Sequence, residues 1–220
     1  MLAMRIGVGD GLTKLGFTEG IVEVILTTVN SDGSPNAAPM GVRMTESEVL
    51  EVSPYKFSAT YRNLVSDPRG CVNVSSDPGV FLVTAFKDEA FPGFKEPRFD
   101  GLRLMPSDAH IPVERLSSED ISYLRAAFKL KVSEVEVSRP LPRVFSRGRT
   151  EAIEAVIHAT RIEAFTAEGR TDEVETLIRL FRESRDIVLR VSSPDSTEVK
   201  VVKELERLIE GWGELSSRSR

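Results

Sequence analysis

Five residues in one short stretch have the chemistry of an anion site. In Tyr55-Lys56-Phe57-Ser58-Ala59-Thr60-Tyr61-Arg62-Asn63 a strand feeds a short helix. A helix start leaves backbone N–H groups without intrahelical acceptors, and those groups favour an anion. Ser58, Thr60 and Asn63 add neutral donors, while Lys56 and Arg62 add charge. That donor set suits a phosphate monoester. The same residues also read as a capped helix with exposed basic side chains, and the stretch alone leaves both readings open.

A second constellation precedes it, Thr27-Thr28-Val29-Asn30-Ser31-Asp32-Gly33-Ser34-Pro35-Asn36-Ala37-Ala38-Pro39-Met40-Gly41. Ile21 to Val29 is rich in β-branched residues, as a strand should be. Asp32-Gly33 followed by Pro35 supplies turn chemistry, so the stretch reads as a β-hairpin. Ala37, Pro39 and Gly41 fall on one face at period two and leave it almost free of side chains. Pro39 cannot donate to a ladder, which predicts an edge strand or a local bulge. A strand stripped on one side lets another flat object approach its backbone. That object is either a strand or dimer partner, or a planar ligand such as a flavin ring.

Other motifs carry less. Gly7-Val8-Gly9-Asp10-Gly11 suggests a dinucleotide loop, but no strand has room ahead of it and no helix is expected to open from it. Neither a Walker A sequence nor a Gly-x-Ser-x-Gly elbow occurs. Glu154 and His158 are spaced for one helix face, which suits a metal pair or an ordinary packed pair. Cys71 falls in a strand and reads as an inert core thiol. With two histidines and one cysteine, no zinc site is expected.

Composition sets the wider bounds. The chain has 220 residues, 40% of them hydrophobic, enough for one domain with a sizeable core or one domain plus a small addition. No apolar run approaches a membrane span, and the start Met1-Leu2-Ala3-Met4-Arg5 lacks a signal-peptide apolar region. A single cysteine permits no internal disulfide, which fits a reducing cytoplasm. Net charge is −5 with no Lys/Arg stripe, which disfavours nucleic acid as a partner.

These residues must be positioned by a β-rich front and a helical back. Val49 to Ser53 is expected as a third strand and Ser58 to Val65 as a short helix ended by Asp67-Pro68-Arg69-Gly70. Cys71 to Ser75 and Val80 to Phe86 are expected as the next strands. The run Lys87 to Pro106 reads as a long loop, with Phe91 to Arg103 able to cover a ligand or to pack its aromatics on the barrel. A helix is expected from Ser117, its N-cap, to Phe128, then a strand over Lys129 to Ser138 with a bulge near Ser133. The last third carries apolar stripes at Ile153/Val156/Ile157/Thr160 and at Val174/Leu177/Ile178/Phe181. Asp195 to Glu198 has capping-box spacing ahead of Val199, Val202, Leu205, Leu208, Ile209 and Trp212. The last two of these helices are expected to pair over the domain, with a frayed tail from Ser216 to Arg220.

The order of hairpin with Asn-Ala-Ala-Pro-Met-Gly, strand, Ser-Ala-Thr-Tyr-Arg-Asn-Leu, Asp-Pro and strand resembles the FMN-binding split-barrel superfamily. Its flavin reductase-like members carry an Asn-x-Ala-Pro stretch and then a Thr-x-x-Asn helix start near the FMN phosphate. The chain as a whole resembles a prokaryotic family of flavin-binding split-barrel proteins catalogued as a domain of unknown function (DUF447-type), whose C-terminal element is similar to Ser146-Arg147-Gly148-Arg149 through Arg161. Relatives commonly carry Asn where this chain has Ser146.

The resemblance implies a mainly β fold with α additions (α+β). The expectation is an antiparallel six-stranded split β-barrel over residues 1–145 and a C-terminal helical subdomain over 146–215, packed on the barrel. It further implies a homodimer with FMN near the dimer interface. Asn36, Ala37, Ala38, Pro39 and Met40 would line the flavin ring. Thr60 and Asn63 would meet the phosphate, assisted by Ser58, Lys56 or Arg62, with Thr27 and Thr28 as secondary candidates. The expected function is a cytoplasmic FMN-dependent oxidoreductase of unknown substrate, because flavin supplies the redox chemistry. A non-enzymatic flavin carrier and a cofactor-free interaction module are the rivals. No acid or base is assigned; His158, Arg161 and Glu154 are the polar groups to test. Arg147 and Arg149 are either anion-binding or structural.

Overall fold

The computed structural model describes residues 4–17, 19–138 and 146–218, with side chains to residue 212 in the last stretch. In chain order the strands are β1 (Met4–Ile6), β2 (Val22–Val29), β3 (Pro35–Glu46), β4 (Val49–Val52), β5 (Arg69–Val74), β6 (Arg98–Asp100), β7 (Arg103–Met105), β8 (Ala109–Asp120), β9 (Ala126–Val132) and β10 (Val135–Val137). The helices are α1 (Val8–Leu15), α2 (Ala59–Ser66), α3 (Pro78–Ala85), α4 (Arg147–Ala167), α5 (Thr171–Val191) and α6 (Thr197–Arg218). They form two compact units, one of Met1–Ser75 with Glu96–Pro142 and one of Ser76–Lys95 with Arg143–Arg220.

The first unit is a closed antiparallel barrel of six strands in the order β8-β5-β2-β3-β4-β9, with β9 returning to pair with β8. The twelve-residue β8 is shared: Val113 to Asp120 pair with β9, while Ala109 and His110 pair with β10, which in turn holds β1. Alternation along each strand sends Val24, Leu26, Val42, Leu50, Val72, Ile111, Phe128 and Leu130 into one core. Each such side chain contributes roughly 1.5–3 kcal/mol by leaving water. Leu12 of α1 and Phe17 join the same core. Tyr61 of α2 meets Phe128 edge to face at 5.7 Å.

The second unit is helical. α4 packs against α5 and α6, and α3 packs against α4 and α6. α4 buries Ala152, Ala155, Val156, Ala159 and Ile162. No helix among the described residues is long and apolar enough to cross a membrane.

Several expectations are corrected. Val80 to Phe86 is not a strand but the body of α3. Asp77 caps that helix by accepting the Gly79 N–H at 2.9 Å, and Pro78 occupies its first turn. Ser117 to Phe128 is not a helix. Ser117 to Asp120 continue β8 and pair with Ala126 to Lys129, so ladder pairing overrides the N-cap pattern. No bulge stands at Ser133; there the chain leaves β9 and starts β10, while the irregularity falls between Arg115 and Ser117. Gly7 to Gly11 does follow a strand and open a helix, α1. A Cβ on Gly11 would stand 3.0 Å from Val135, so that glycine serves helix packing. α4 buries Val156 but turns Ile153 and Ile157 only halfway inward. α5 pairs chiefly with α4 rather than α6. Ser196, rather than Asp195, accepts the Val199 N–H at the start of α6. Ser219 and Arg220, the end of the expected tail, and Met1-Leu2-Ala3 lie outside the described residues.

Candidate functional site

The expected anion site begins at Ser58, which caps α2. Its hydroxyl accepts the Tyr61 N–H at 3.2 Å and donates to the Tyr55 carbonyl at 2.7 Å. The first intrahelical bond runs from Arg62 N–H to Ser58 O, which leaves the N–H groups of Ala59 and Thr60 at the head of the helix. Arg62 folds back over this turn and donates to the Phe57 carbonyl at 2.6 Å, so its guanidinium charge sits beside the helix start. Lys56 is paired with Asp120 at 2.7 Å. Arg125 lies 4.0 Å above the Tyr55 ring, which stacks on exposed Phe57 at 5.0 Å. Thr60 is buried.

Asn63 joins this helix to the hairpin. Its amide donates to Thr28 Oγ1 at 3.1 Å and to Asn30 Oδ1 at 2.8 Å. The Asn36 amide reaches the same Thr28 hydroxyl at 3.3 Å, and Asn30 donates to Ser34 Oγ at 3.0 Å. Thr28, Asn36 and Asn63 are therefore brought together. Both protons of the Asn63 amide are spent on the hairpin, so Asn63 orients α2 in this structure.

The hairpin divides the remaining candidates between two faces. Met40 and Val42 pack toward the barrel core. By alternation Ala37, Pro39 and Gly41 stand on the outer wall, opposite Thr27, Ile25 and Glu23 of β2. Thr27, Thr28, Asn36 and Ala37 are buried, while Ala38, Pro39 and Met40 are half-buried. β4 pairs only with Val42 to Glu46, so Pro35 to Gly41 have β2 as their one ladder partner, in keeping with an edge. At Gly41 the free space belongs to this chain: a Cβ there would meet Ile21 Cγ2 at 2.8 Å.

A polar network on the same barrel was invisible in the sequence. One cross-strand row runs Arg5, Glu136, His110, Asn73, Ile25 and Pro39. Arg103 of β7 grips Glu136 with two bonds of 2.7 and 2.9 Å and holds its carboxyl below the usual range. Asn73 donates to Ile25 O and Thr27 Oγ1, and its Oδ1 faces Leu104 N–H at 2.9 Å and His110 Nδ1 at 3.1 Å. Seven strands contribute, so no local spacing signals the cluster.

The expected groups of the helical unit find partners within that unit. His158 Nε2 lies 3.6 Å from Glu154, and burial lowers the imidazole's pKa, as in a packed helix pair. Arg161 and Arg147 are exposed, and Arg149 faces Glu198 at 3.8 Å. Phe91 and Phe94 meet edge to face at 6.3 Å, and the Phe94 ring covers Gly79 of α3. Cys71 is buried, and burial pushes its thiol up to about 12. Among the described residues no group of three or more His, Cys, Asp or Glu could hold a metal.

Residues 22–139, more than half of the 220, match the model of the N-terminal domain of a protein of unknown function, DUF447. The chain belongs to the DUF447 family. An FMN-bound DUF447 protein from Methanosarcina mazei is similar at 25% identity and a TM-score of 0.69, over 89% of this chain and 98% of that one. The styrene monooxygenase flavin reductase of Pseudomonas putida S12 is similar at 19% identity and a TM-score of 0.45, over 60% of this chain and 86% of that one. The six-stranded split-barrel architecture implied by the resemblance is the architecture of this DUF447 chain. Its Ser146 caps α4 by accepting the Arg149 N–H at 3.3 Å. Ser and Asn are interchangeable in that role.

Proposed function

We propose that this DUF447 chain is an FMN-binding flavoprotein of the oxidoreductase class, working as a homodimer. The observation that carries the reading is the head of α2, where the Ala59 and Thr60 N–H groups precede the first intrahelical bond and the Arg62 guanidinium folds back onto the Phe57 carbonyl. Asn63 ties that helix to the hairpin whose outer wall is stripped at Ala37 and Pro39. A flat ring against the hairpin and a phosphate at α2 belong to one ligand, FMN. The FMN-bound relative from Methanosarcina mazei supports the choice.

Bound FMN supplies hydride or electron transfer. The chain's residues bind and orient it. Thr60, Ser58 and Lys56 flank the phosphate, Asn36, Ala38 and Met40 offer backbone along the ring, and Thr27 and Thr28 stiffen β2 beside it. Exposed Phe57, Val65, Leu116, Ile121 and Tyr123 lie on α2, its approach and the β8–β9 end, and supply apolar surface for a second copy.

The test is a titration of the purified protein with FMN and with riboflavin, followed by visible absorbance and flavin fluorescence. Saturable FMN binding, tighter than riboflavin binding, supports the reading. Refusal of both flavins overturns it. Anaerobic reduction of the complex by NADH or NADPH then tests the oxidoreductase class, and light scattering tests the dimer.

A further inference from the structure

The barrel carries a buried imidazole with one ring nitrogen left over. His110 is 3% exposed, and its Nε2 has no hydrogen-bond partner. The Asn73 carboxamide fixes the tautomer. Its nitrogen faces three oxygens, Ile25 O, Thr27 Oγ1 and Cys71 O, so its oxygen must face the other way, toward Leu104 N–H and His110 Nδ1. An oxygen acceptor requires a proton on Nδ1. Nε2 therefore holds a buried lone pair.

The β6–β7 hairpin is fastened on both sides of this ring. Leu104 N–H is bound to Asn73, the neighbour of His110 on β5. Arg103 is bound to Glu136, the neighbour of His110 on β10. We propose that the β6–β7 hairpin is a strap latched over the barrel wall through Asn73 and Glu136, and that it is released when His110 takes up a proton.

A second proton would sit on Nε2, buried and without an acceptor. The charged groups around the ring do not rescue it. Arg103 on β7 opposes the new charge. Asp100 on β6 and Glu136 on β10 favour it, but both Glu136 oxygens are held by Arg103, and Arg5 of β1 stands 3.5 Å from one of them. Cys71 on β5 stays a neutral thiol. Burial, and after it Arg103, hold the His110 pKa below its ordinary 6.5.

The sign follows from linkage. With the strap open, the ring meets water and titrates near 6.5. With the strap closed it titrates lower. Below that pH the open form binds the extra proton, so opening grows by up to about tenfold per pH unit until the closed-form value is reached. Above it the strap stays shut. Release also unloads Asn73, the side chain that holds Thr27 and Ile25 of β2.

The test is amide hydrogen exchange of the intact protein between neutral and mildly acidic pH, corrected for intrinsic exchange. Protection of the Leu104 amide should fall up to about tenfold per pH unit below 6.5, while barrel amides such as that of Val72 hold theirs. In His110→Phe the fall should disappear. Constant Leu104 protection across the range overturns the proposal, as does an equal fall in His110→Phe. A second measurement stands without that variant. In His158→Gln one imidazole remains, and its NMR titration midpoint must coincide with that of strap opening. Midpoints that differ overturn the proposal.

Discussion

The Asn63 amide donates to the Thr28 hydroxyl at 3.1 Å, across a sequence separation of 35 residues. That bond, with its companion to Asn30, fixes where the head of α2 stands relative to the hairpin. Asn63→Ala should destabilise the protein by about 1–3 kcal/mol, the usual cost of orphaning a buried partner. FMN and riboflavin should weaken by the same factor, because the loss lies in positioning. Thermal melts and paired titrations read both. A loss confined to FMN would place Asn63 on the phosphate instead.

Arg62 should behave differently. Its guanidinium supplies the charge at the helix start, and charge-assisted bonds contribute about 1.5–3 kcal/mol. Arg62→Gln should therefore weaken FMN by roughly 10- to 100-fold and leave riboflavin unchanged. Equal effects on the two flavins would move the phosphate away from α2.

Gly41 is packed against its own chain, and Gly41→Val should act on folding. The new Cβ would meet Ile21 Cγ2 at 2.8 Å, and because Ile21 is exposed and can turn aside, the cost should fall below the ~1–3 kcal/mol of an overpacked core. Ile21→Ala in the same molecule should restore the melting temperature. Failure of that rescue would point to a different obstacle at the strand face.

The Cys71 thiol, pushed up to about 12 by burial, should resist thiol reagents in the native protein at neutral pH. It should react promptly once the chain is unfolded in denaturant. Rapid native labelling would show that β5 opens.

Glu136 gives a pH signature. Arg103 holds its folded pKa below the ordinary 4.5, so its contribution is full above that value and fades as pH falls through the folded pKa. Glu136→Gln should lower stability at neutral pH by about 1.5–3 kcal/mol and flatten the acid limb of the stability curve. Denaturant melts at several pH values measure this, and an unchanged acid limb would assign acid loss to other carboxylates.

The hairpin was legible because its evidence is contiguous. β-branched residues, a Gly-Pro turn and period-two small residues fall within one stretch, and β2 and β3 pair as that pattern requires. The short helix after it was equally local, with Ser58 as its cap. Val80 to Val83 misled because a continuous apolar run has no period, and Asp77-Pro78 reads as a turn as readily as a helix start. Ser117 to Asp120 misled for the opposite reason. Its cap-like sequence is local, but the pairing with β9 that decides its conformation is not. Nothing along the chain announces His110, because its neighbours arrive from β5, β7 and β10.

Although the barrel closes, Pro35 to Gly41 on β3 keep one side of their ladder unzipped. Such a stretch is where a foreign strand would attach and start a fibre. Pro39 stands in its midst with no N–H to offer an incoming chain, so a guest strand cannot zip along it in register. The proline thus makes this rim inhospitable to another polypeptide.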